Sequence, residues 1–338
     1  MPGTLTASDL RAAGLEDHFA TLDAAIDAYR DGGSPNVAIV SEPFGGRAAF
    51  VEYVLNEVEA AEHVTFPSTA EMANLPDLEE HDALVLSDCH ALFTRRIGGF
   101  EVLDAFLEEV AASDTFVVTA WNQYAWSYLA GVRDIGESFG RVLPDPDLGA
   151  EGVEALLRER YDAEFPAFVE TGEAGRVKSI GFDTYRLGVP GGRTLSVPVP
   201  GLNLAYLTSW SPWRREPDVE SVVFRKIALL SNGNPGIATV LWERAVTDGE
   251  VGPAHVEDLE PSPDLDDVEE AFVLWMVLAN DQRSRADLSR RLEDIAVDRV
   301  LQKLEGQGLL EVTDAAATIR PAALHAAVEF LRGRRLVW

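Results

Sequence analysis

The sequence predicts an α/β protein, with a parallel sheet covered on both faces, then helical segments, then a small module of helices and one hairpin. Three observations carry this. Short β-branched apolar runs alternate with amphipathic stretches through the first 150 residues, the pattern of strands joined by crossover helices. From Gly149 the alternation gives way to helical periodicity. Residues 265–338 then form a compact pattern of their own behind an acidic, proline-bearing stretch.

In chain order, Leu15–Tyr29 is helical and stops at Asp31-Gly32-Gly33-Ser34-Pro35. Strands are expected at Asn36–Val40, Val64–Phe66, Ala83–Ser87, Phe116–Ala120 and Arg141–Leu143, with helices including Arg47–Ala60 and Phe100–Ala112 between them. Helices follow at Val153–Tyr161, Val219–Leu230 and Ile237–Val246. The stretch 171–217 is rich in glycine, proline and aromatics. It is too long for a structureless loop, so a β-hairpin or a lid insertion is expected there. The units are then 1–148, 149–247 and 265–338, with 248–264 as an acidic linker.

The last unit reads as helices at Val268–Ala279, Ser284–Leu292 and Ile295–Leu304, with Ser284 and Asp287 as a cap pair. Leu309–Val312 and Ala317–Ile319 pair as a hairpin, and Pro321 opens a last helix. This order resembles the winged helix-turn-helix fold, and VDRVLQKLEGQGLLE resembles its third helix running into the wing.

Composition narrows the setting. The 338 residues carry a formal net charge of −29, with lysine only at Lys178, Lys226 and Lys303. The acid is spread evenly rather than in blocks, which reads as a halophile, haloarchaeal-type surface for a high-salt cytoplasm. Molar salt screens such self-repulsion within about 3 Å. Cys89 is the single cysteine, which excludes an intrachain disulfide and a cysteine zinc cluster. The start MPGTLTASDLRAAG is no signal peptide, and the longest apolar run, Ala271–Ala279, is too short to span a bilayer. A cytoplasmic protein with no membrane partner is expected.

Chemistry concentrates at three places. In NVAIVSEPFGGRAAF (36–50) a strand meets a glycine turn and an amphipathic helix. The phosphate-loop pattern G-x-x-x-x-G-K-[ST] lies over Ser41–Ala48 with Gly46 matched. Ser41 replaces the first glycine, Arg47 the lysine and Ala48 the hydroxyl. In ALVLSDCHALF, Asp88 puts a carboxylate at the carboxyl end of a buried strand, where open α/β sheets bind ligands. In TFVVTAWNQ, Thr119 or Asn122 is the polar group at the end of the fourth strand, while Trp121, Tyr124, Trp126 and Tyr128 are expected in the packing. Cys89 and His90, as neighbours on a strand, point to opposite faces and form no dyad.

Together SEPFGGRA (41–48), LVLSDCHALF (84–93), VVTAWNQ (117–123), FGRVLPDPDL with EALLRERY (139–161), and LLSNGNPGIATVLWERA (229–245) resemble the AAA+/STAND class of P-loop ATPases, of the archaeal, origin-recognition-like type. The resemblance implies ATP or ADP with Mg²⁺, held by Glu42, Pro43, Phe44, Gly45, Gly46, Arg47 and Ala48. Asp88 would serve the metal, and Thr119 or Asn122 would sense the γ-phosphate. Three departures weaken catalysis: Ala48 lacks the Mg²⁺-binding hydroxyl, Cys89 replaces a water-positioning glutamate, and Gly236 stands where many relatives place an arginine. Each lost charge-stabilising group costs on the order of 10²-fold in rate. Backbone N–H groups at Gly45 and Gly46 still suit a phosphate. Arg95, Arg96 and Arg141 read as arginine fingers or as ordinary surface residues.

The expected function is an ATP-binding regulator with weak or lost hydrolysis. Its winged helix would contact DNA or a protein through Arg283, Arg285, Arg290, Arg291, Arg299, Gln302 and Lys303, and assembly as a homo-oligomer is a further expectation. Residues 262–338 hold ten basic and fourteen acidic side chains, which is no basic footprint. Two alternatives stand beside this: a scaffold that binds no nucleotide, with Arg47 and Asp88 as a structural ion pair, and an ATPase completed by a partner subunit.

Overall fold

The computed structural model describes residues 4–66, 68–161, 165–170, 180–189, 193–202, 218–257, 261, 263–265, 267–292 and 295–337. Five parallel strands form the central sheet: β1 (Asn36–Ser41), β2 (Ala61–Thr65), β3 (Ala83–Ser87), β4 (Phe116–Asn122) and β5 (Arg141–Leu143). Their spatial order is β2-β3-β4-β1-β5. β4 is buried along its whole length and β1 in all but its first residue, as expected of central strands covered on both faces. The edge strand β2 is mostly exposed and begins earlier than its apolar residues suggest, because the preceding helix ends at Glu57.

The helix after β1, α3 (Arg47–Glu57), packs over β1, β2 and β3. The helix after β4, α5 (Gln123–Arg133), packs back over β4 and β1. The chain thus leaves the neighbouring strands β1 and β4 in opposite directions, and a crevice opens between their carboxyl ends. The register pairs Val40 with Trp121 and Ser41 with Asn122, so the two ends are level.

Before the sheet come α1 (Ala7–Ala12), with a capping box between Thr6 and Asp9, and α2 (Glu16–Arg30). After it, α6 (Ala150–Tyr161), α7 (Val219–Ser231) and α8 (Pro235–Ala245) form a helical lid. Asn234 caps α8 and Pro235 takes its first turn, where a missing N–H costs nothing. An antiparallel hairpin, β7 (Ile180–Val189) with β8 (Arg193–Leu202), lies between α6 and α7. The remainder of the 171–217 insertion falls outside the described residues. Part of the acidic linker is built into the fold: β9 (Glu250–Val251) pairs in parallel with β6 (Ala167–Phe168), and Val251 and Val256 are buried.

The C-terminal module runs α9 (Val268–Leu278), β10 (Gln282–Arg283), α10 (Arg285–Arg291), α11 (Val297–Gly306), β11 (Leu310–Val312), β12 (Ala317–Ile319) and α12 (Leu324–Gly333). The three strands form one sheet in the order β10-β12-β11. Ser284 caps α10 by accepting from Asp287 N at 3.1 Å. Leu274, Leu288, Leu301, Leu304, Leu310 and Leu331 fill the centre of this module. Among the described residues, no helix is long and apolar enough to cross a membrane.

Candidate functional site

The loop between β1 and α3 is held from three sides. Glu42 N donates to Asp145 Oδ1 at 2.7 Å, Tyr124 Oη donates to Glu42 Oε1 at 2.6 Å, and Asn234 Nδ2 donates to Pro43 O at 2.9 Å. Gly236 N donates to Phe44 O at 3.1 Å, which docks the lid on the loop. Phe44 has φ 68° and Gly46 φ 91°, and a Cβ on Gly46 would stand 3.0 Å from Leu10 Cδ1 of α1. Among the described residues, the N–H groups of Gly46, Arg47 and Ala48 have no hydrogen-bond acceptor, as expected of the first turn of a helix. Asp145, half-buried beside Glu42, has its carboxyl pushed up to about 7, first by burial and then by the Glu42 charge.

Arg47 does not point freely into solvent. One Nη donates to Ser41 O at 3.0 Å and to Trp121 O at 3.2 Å, the last carbonyls but one or none of the central strands. The other Nη is ion-paired with Asp281, in the turn after α9. The expected alternative pairing, Arg47 with Asp88, is absent among the described residues, and this corrects the scaffold reading as first framed: the partner comes from the C-terminal module. Asp281 is engaged further by Asn122, whose Nδ2 donates to Asp281 Oδ1 at 2.7 Å and to Leu278 O at 2.8 Å. Burial acts to raise the Asp281 carboxyl, but Arg47 and the Asn122 donor outweigh it and hold it below the usual carboxylate range.

Asp88 ends β3 with φ 59°, so the strand breaks there into one turn of 3-10 helix, Cys89–Leu92. That turn aims His90 into the site. His90 is 2% exposed, and its Nε2 lies 3.8 Å from both Asp88 Oδ1 and Asp281 Oδ2. Asn122 N, at 3.3 Å, donates to Nδ1, so the ring proton sits on Nε2 and faces the two carboxylates. Burial lowers the His90 pKa to about 3, which keeps the ring neutral. Burial also raises the Asp88 carboxyl, against the pull of Arg47. Donor atoms of Asp88, His90 and Asp281 lie within 4.8 Å of one another, yet this triad suits a metal poorly. The His90 atom facing it carries a proton, and Arg47 already neutralises Asp281.

Other expectations divide. Asn122 is at the site, and its Oδ1 caps α5 by accepting from Tyr124 N at 2.8 Å. Thr119 is not at the site: its hydroxyl lies inside the sheet, donating to Val37 O at 3.2 Å and accepting from Trp121 Nε1 at 2.7 Å. β4 runs on to Asn122, so Thr119 sits a full step back from the strand's end. Cys89 is buried and its thiol donates to Leu86 O at 3.3 Å; burial drives its pKa up, so it is no nucleophile. Arg95 stacks over Tyr128 and Trp275, with its Cζ at 4.6 and 5.0 Å from the ring centroids, which places it inside the molecule rather than at a partner's site.

The loop, Asp88, Asp281 and α8 line one cavity of about 1030 Å³. The hairpin of the C-terminal module, through Val312, Thr318 and Arg320, forms its far wall. That hairpin faces inward. Of the expected contact residues of this module, Arg283 is 6% exposed and donates to Asp287, Arg291 pairs with the same Asp287, and Lys303 pairs with Glu270. Arg283 is thus taken up by the module's own packing, which corrects its assignment to a partner surface, while Arg291 and Lys303 stay partly exposed, at 19% and 38%. Arg285, Arg290, Arg299 and Gln302 remain exposed. Sequence reasoning missed Asp281, His90 and Asp145. Only Asn280-Asp281, a turn-forming pair after an apolar helix, left a visible sign.

No protein-family model matches the chain, and no curated protein matches it. Among solved structures, the chain is similar to the Holliday junction branch migration motor RuvB of Thermotoga maritima, at 14% identity and TM-score 0.42 over 94% of each chain. It is similar to Cdc6p from Pyrobaculum aerophilum at 13% identity and TM-score 0.40, over 95% of this chain and 94% of that one. A Walker-type ATPase of Pyrococcus abyssi aligns at 12% identity and TM-score 0.41, over 92% of this chain and 95% of that one. At these values the likeness concerns the course of the chain and not its chemistry.

Proposed function

We propose that this chain is a nucleotide-responsive regulatory switch of the AAA+/STAND type, with hydrolysis weak or lost. The observation that supports it best is the convergence of Arg47, Asp88 and the open N–H groups of residues 46–48 on one cavity, with Arg47 and Asp88 left unpaired with each other. A helix start with an arginine beside it is an anion site, and the cavity volume of about 1030 Å³ is ample for a nucleoside triphosphate. For Mg²⁺ the resemblance points to the carboxylate of Asp88, with no hydroxyl at Ala48 beside it. Water and phosphate oxygens complete such a shell, as is usual for this ion. Mg²⁺ there would offset phosphate charge, and the chain's own residues would bind and orient the nucleotide. Among the described residues, neither neighbour of Asp88 on the 3-10 turn is placed to activate water: Cys89 is turned into the core, and the neutral His90 presents a proton rather than a lone pair.

The lid and loop share Phe44–Gly236 and Pro43–Asn234 contacts, so a change at the loop reaches the lid directly. The C-terminal module, read as a winged helix, is the output. Its wing is turned toward the cavity and only Arg285, Arg290 and Arg299 among its expected basic contacts are exposed, which favours a protein partner over DNA. The setting we propose is a high-salt cytoplasm.

A second reading, a scaffold that binds no nucleotide, draws on the cavity lining. Glu42, Asp88, Glu243, Asp281, Glu305 and Glu311 outnumber Arg47, Arg244 and Arg320 there, a field that opposes an anion. Calorimetric titration with Mg-ATP and ADP in molar KCl separates the two. Heat that vanishes in Arg47→Ala and weakens in Asp88→Ala supports the switch; no heat in the wild type leaves the scaffold.

A further inference from the structure

We infer that Asp281 is a resident stand-in for a phosphate, a carboxylate that docks the C-terminal module in the nucleotide site and that a nucleotide phosphate must displace. This deepens the switch reading and rests on it.

The argument begins with the donors. Arg47 is fixed through one Nη by Ser41 O and Trp121 O, so its other Nη is aimed at a single place. Asn122 is fixed through Oδ1 by Tyr124 N and Ala125 N, which turns its Nδ2 toward the same place. His90, fixed through Nδ1 by Asn122 N, lies beside this place with Nε2 3.8 Å from Asp281 Oδ2, beyond hydrogen-bond reach. Two donors anchored in the core, Arg47 and Asn122, therefore converge on one small anion site. An orientation this well fixed suits any planar or tetrahedral oxyanion, because guanidinium and amide donors bind carboxylate and phosphate oxygens alike.

The occupant comes from elsewhere. Asp281 is separated from Arg47 by 234 residues, and it belongs to the turn that joins α9 to β10. It sits at φ 57°, in the left-handed region that aspartate adopts more readily than most non-glycine residues. The nearby Leu278 O is held by the same Asn122 amide, and His325 of the module is bonded to Ser231 O. Removing Asp281 from the site thus frees the turn after α9, beside the hairpin that closes the cavity, while these other contacts remain. Arg47 cannot serve a phosphate and Asp281 together, since two anions in one half-buried site repel each other. Phosphate in and Asp281 out are one event.

The test uses the full chain in molar KCl, comparing the wild type with Asp281→Asn and, against a folding artefact of that variant, Asp281→Ser. ATP affinity is read by calorimetry, and docking by amide hydrogen exchange across residues 276–283. The expected result is at least tenfold tighter ATP binding in either variant. Fast exchange of 276–283 is expected in the variants without ligand, and in the wild type only when ATP saturates it. Equal ATP affinity in the wild type and both variants overturns the inference while the switch reading stands. So does exchange at 276–283 that neither substitution nor ATP alters. Absence of ATP binding in all three chains overturns the switch reading itself, and the displacement falls with it.

Discussion

Two arginine–aspartate pairs lie close to the turn after α9, and they differ in everything but chemistry. Arg283 and Asp287 are four residues apart, 3.1 Å from each other, and 6% and 4% exposed. Asp287 also accepts from Arg291 Nε at 3.1 Å and faces Arg290 at 3.5 Å. All of these groups belong to the C-terminal module, and no cavity reaches Asp287. Arg47 and Asp281 join the module to the core, are 14% and 23% exposed, and open on the large cavity. A pair formed within a few residues and sealed from solvent is part of the fold. A pair formed between units, beside space for a competing anion, can be exchanged. Position relative to solvent and to the chain, rather than the ion pair itself, separates the two roles.

The largest effect is expected at the sealed pair. Asp287→Ala strips the counter-charge from Arg283 and Arg291 and removes a side chain that nothing else replaces, at a cost of about 3–5 kcal/mol. Denaturant unfolding reads this directly, and unchanged ATP binding in the folded fraction keeps the sealed pair apart from the site. The exchangeable pair should give less. Arg47→Asp and Asp281→Arg alone each cost about 1–3 kcal/mol, because solvent reaches both groups. Combining them should recover about 1 kcal/mol in a double-mutant cycle on module docking. Additive losses would break the comparison.

The smallest effect sharpens it by removing the arginine altogether. Asp145 makes no ion pair among the described residues, and burial with the nearby Glu42 charge pushes its carboxyl up to about 7, well above the usual carboxylate range. The folded protein therefore holds this proton where the unfolded chain has released it. Stability from this group is full below about pH 4, and it declines as pH rises to about 7. Asp145→Asn keeps an acceptor for Glu42 N without the charge. Its melting temperature should match the wild type near pH 4.5 and exceed it at pH 8, by an amount equivalent to about 1–2 kcal/mol. A gap that narrows with rising pH would contradict this.

The sheet was legible in the sequence because central parallel strands are buried on both faces and read as apolar runs between turn residues. The edge strand β2 was misread, since Glu62 and His63 face solvent and break its run. The loop was legible too, because glycine at φ 91° and a helix start leave a local mark. Thr119 was placed at the site only because β4 was expected to stop at Ala120. Trp121 and Asn122 stay in the ladder with Val40 and Ser41, which carries the strand's end on to Asn122. Cys89 and His90 are expected on opposite faces of an extended strand, whereas Asp88, at φ 59°, breaks the strand and a 3-10 turn carries both residues. Asp281 left only a turn signal, Asn280-Asp281 after an apolar helix, which says nothing of a site. Its role exists only through the docking of two units, and no spacing or periodicity in the chain encodes that contact.

Gly236 has a consequence for any attempt to rebuild catalysis. A Cβ there would lie 2.5 Å from Phe44 O and 2.7 Å from Phe44 Cβ, and the Gly236 N–H is bonded to that same carbonyl. Arginine at 236 is therefore closed off as a first step, whatever it might offer a γ-phosphate. Phe44 would have to give way beforehand, and its left-handed backbone is part of the loop's own shape. Any arginine introduced at 236 is therefore ordered behind a change at 44: the loop must be recast before that position of α8 can carry a side chain.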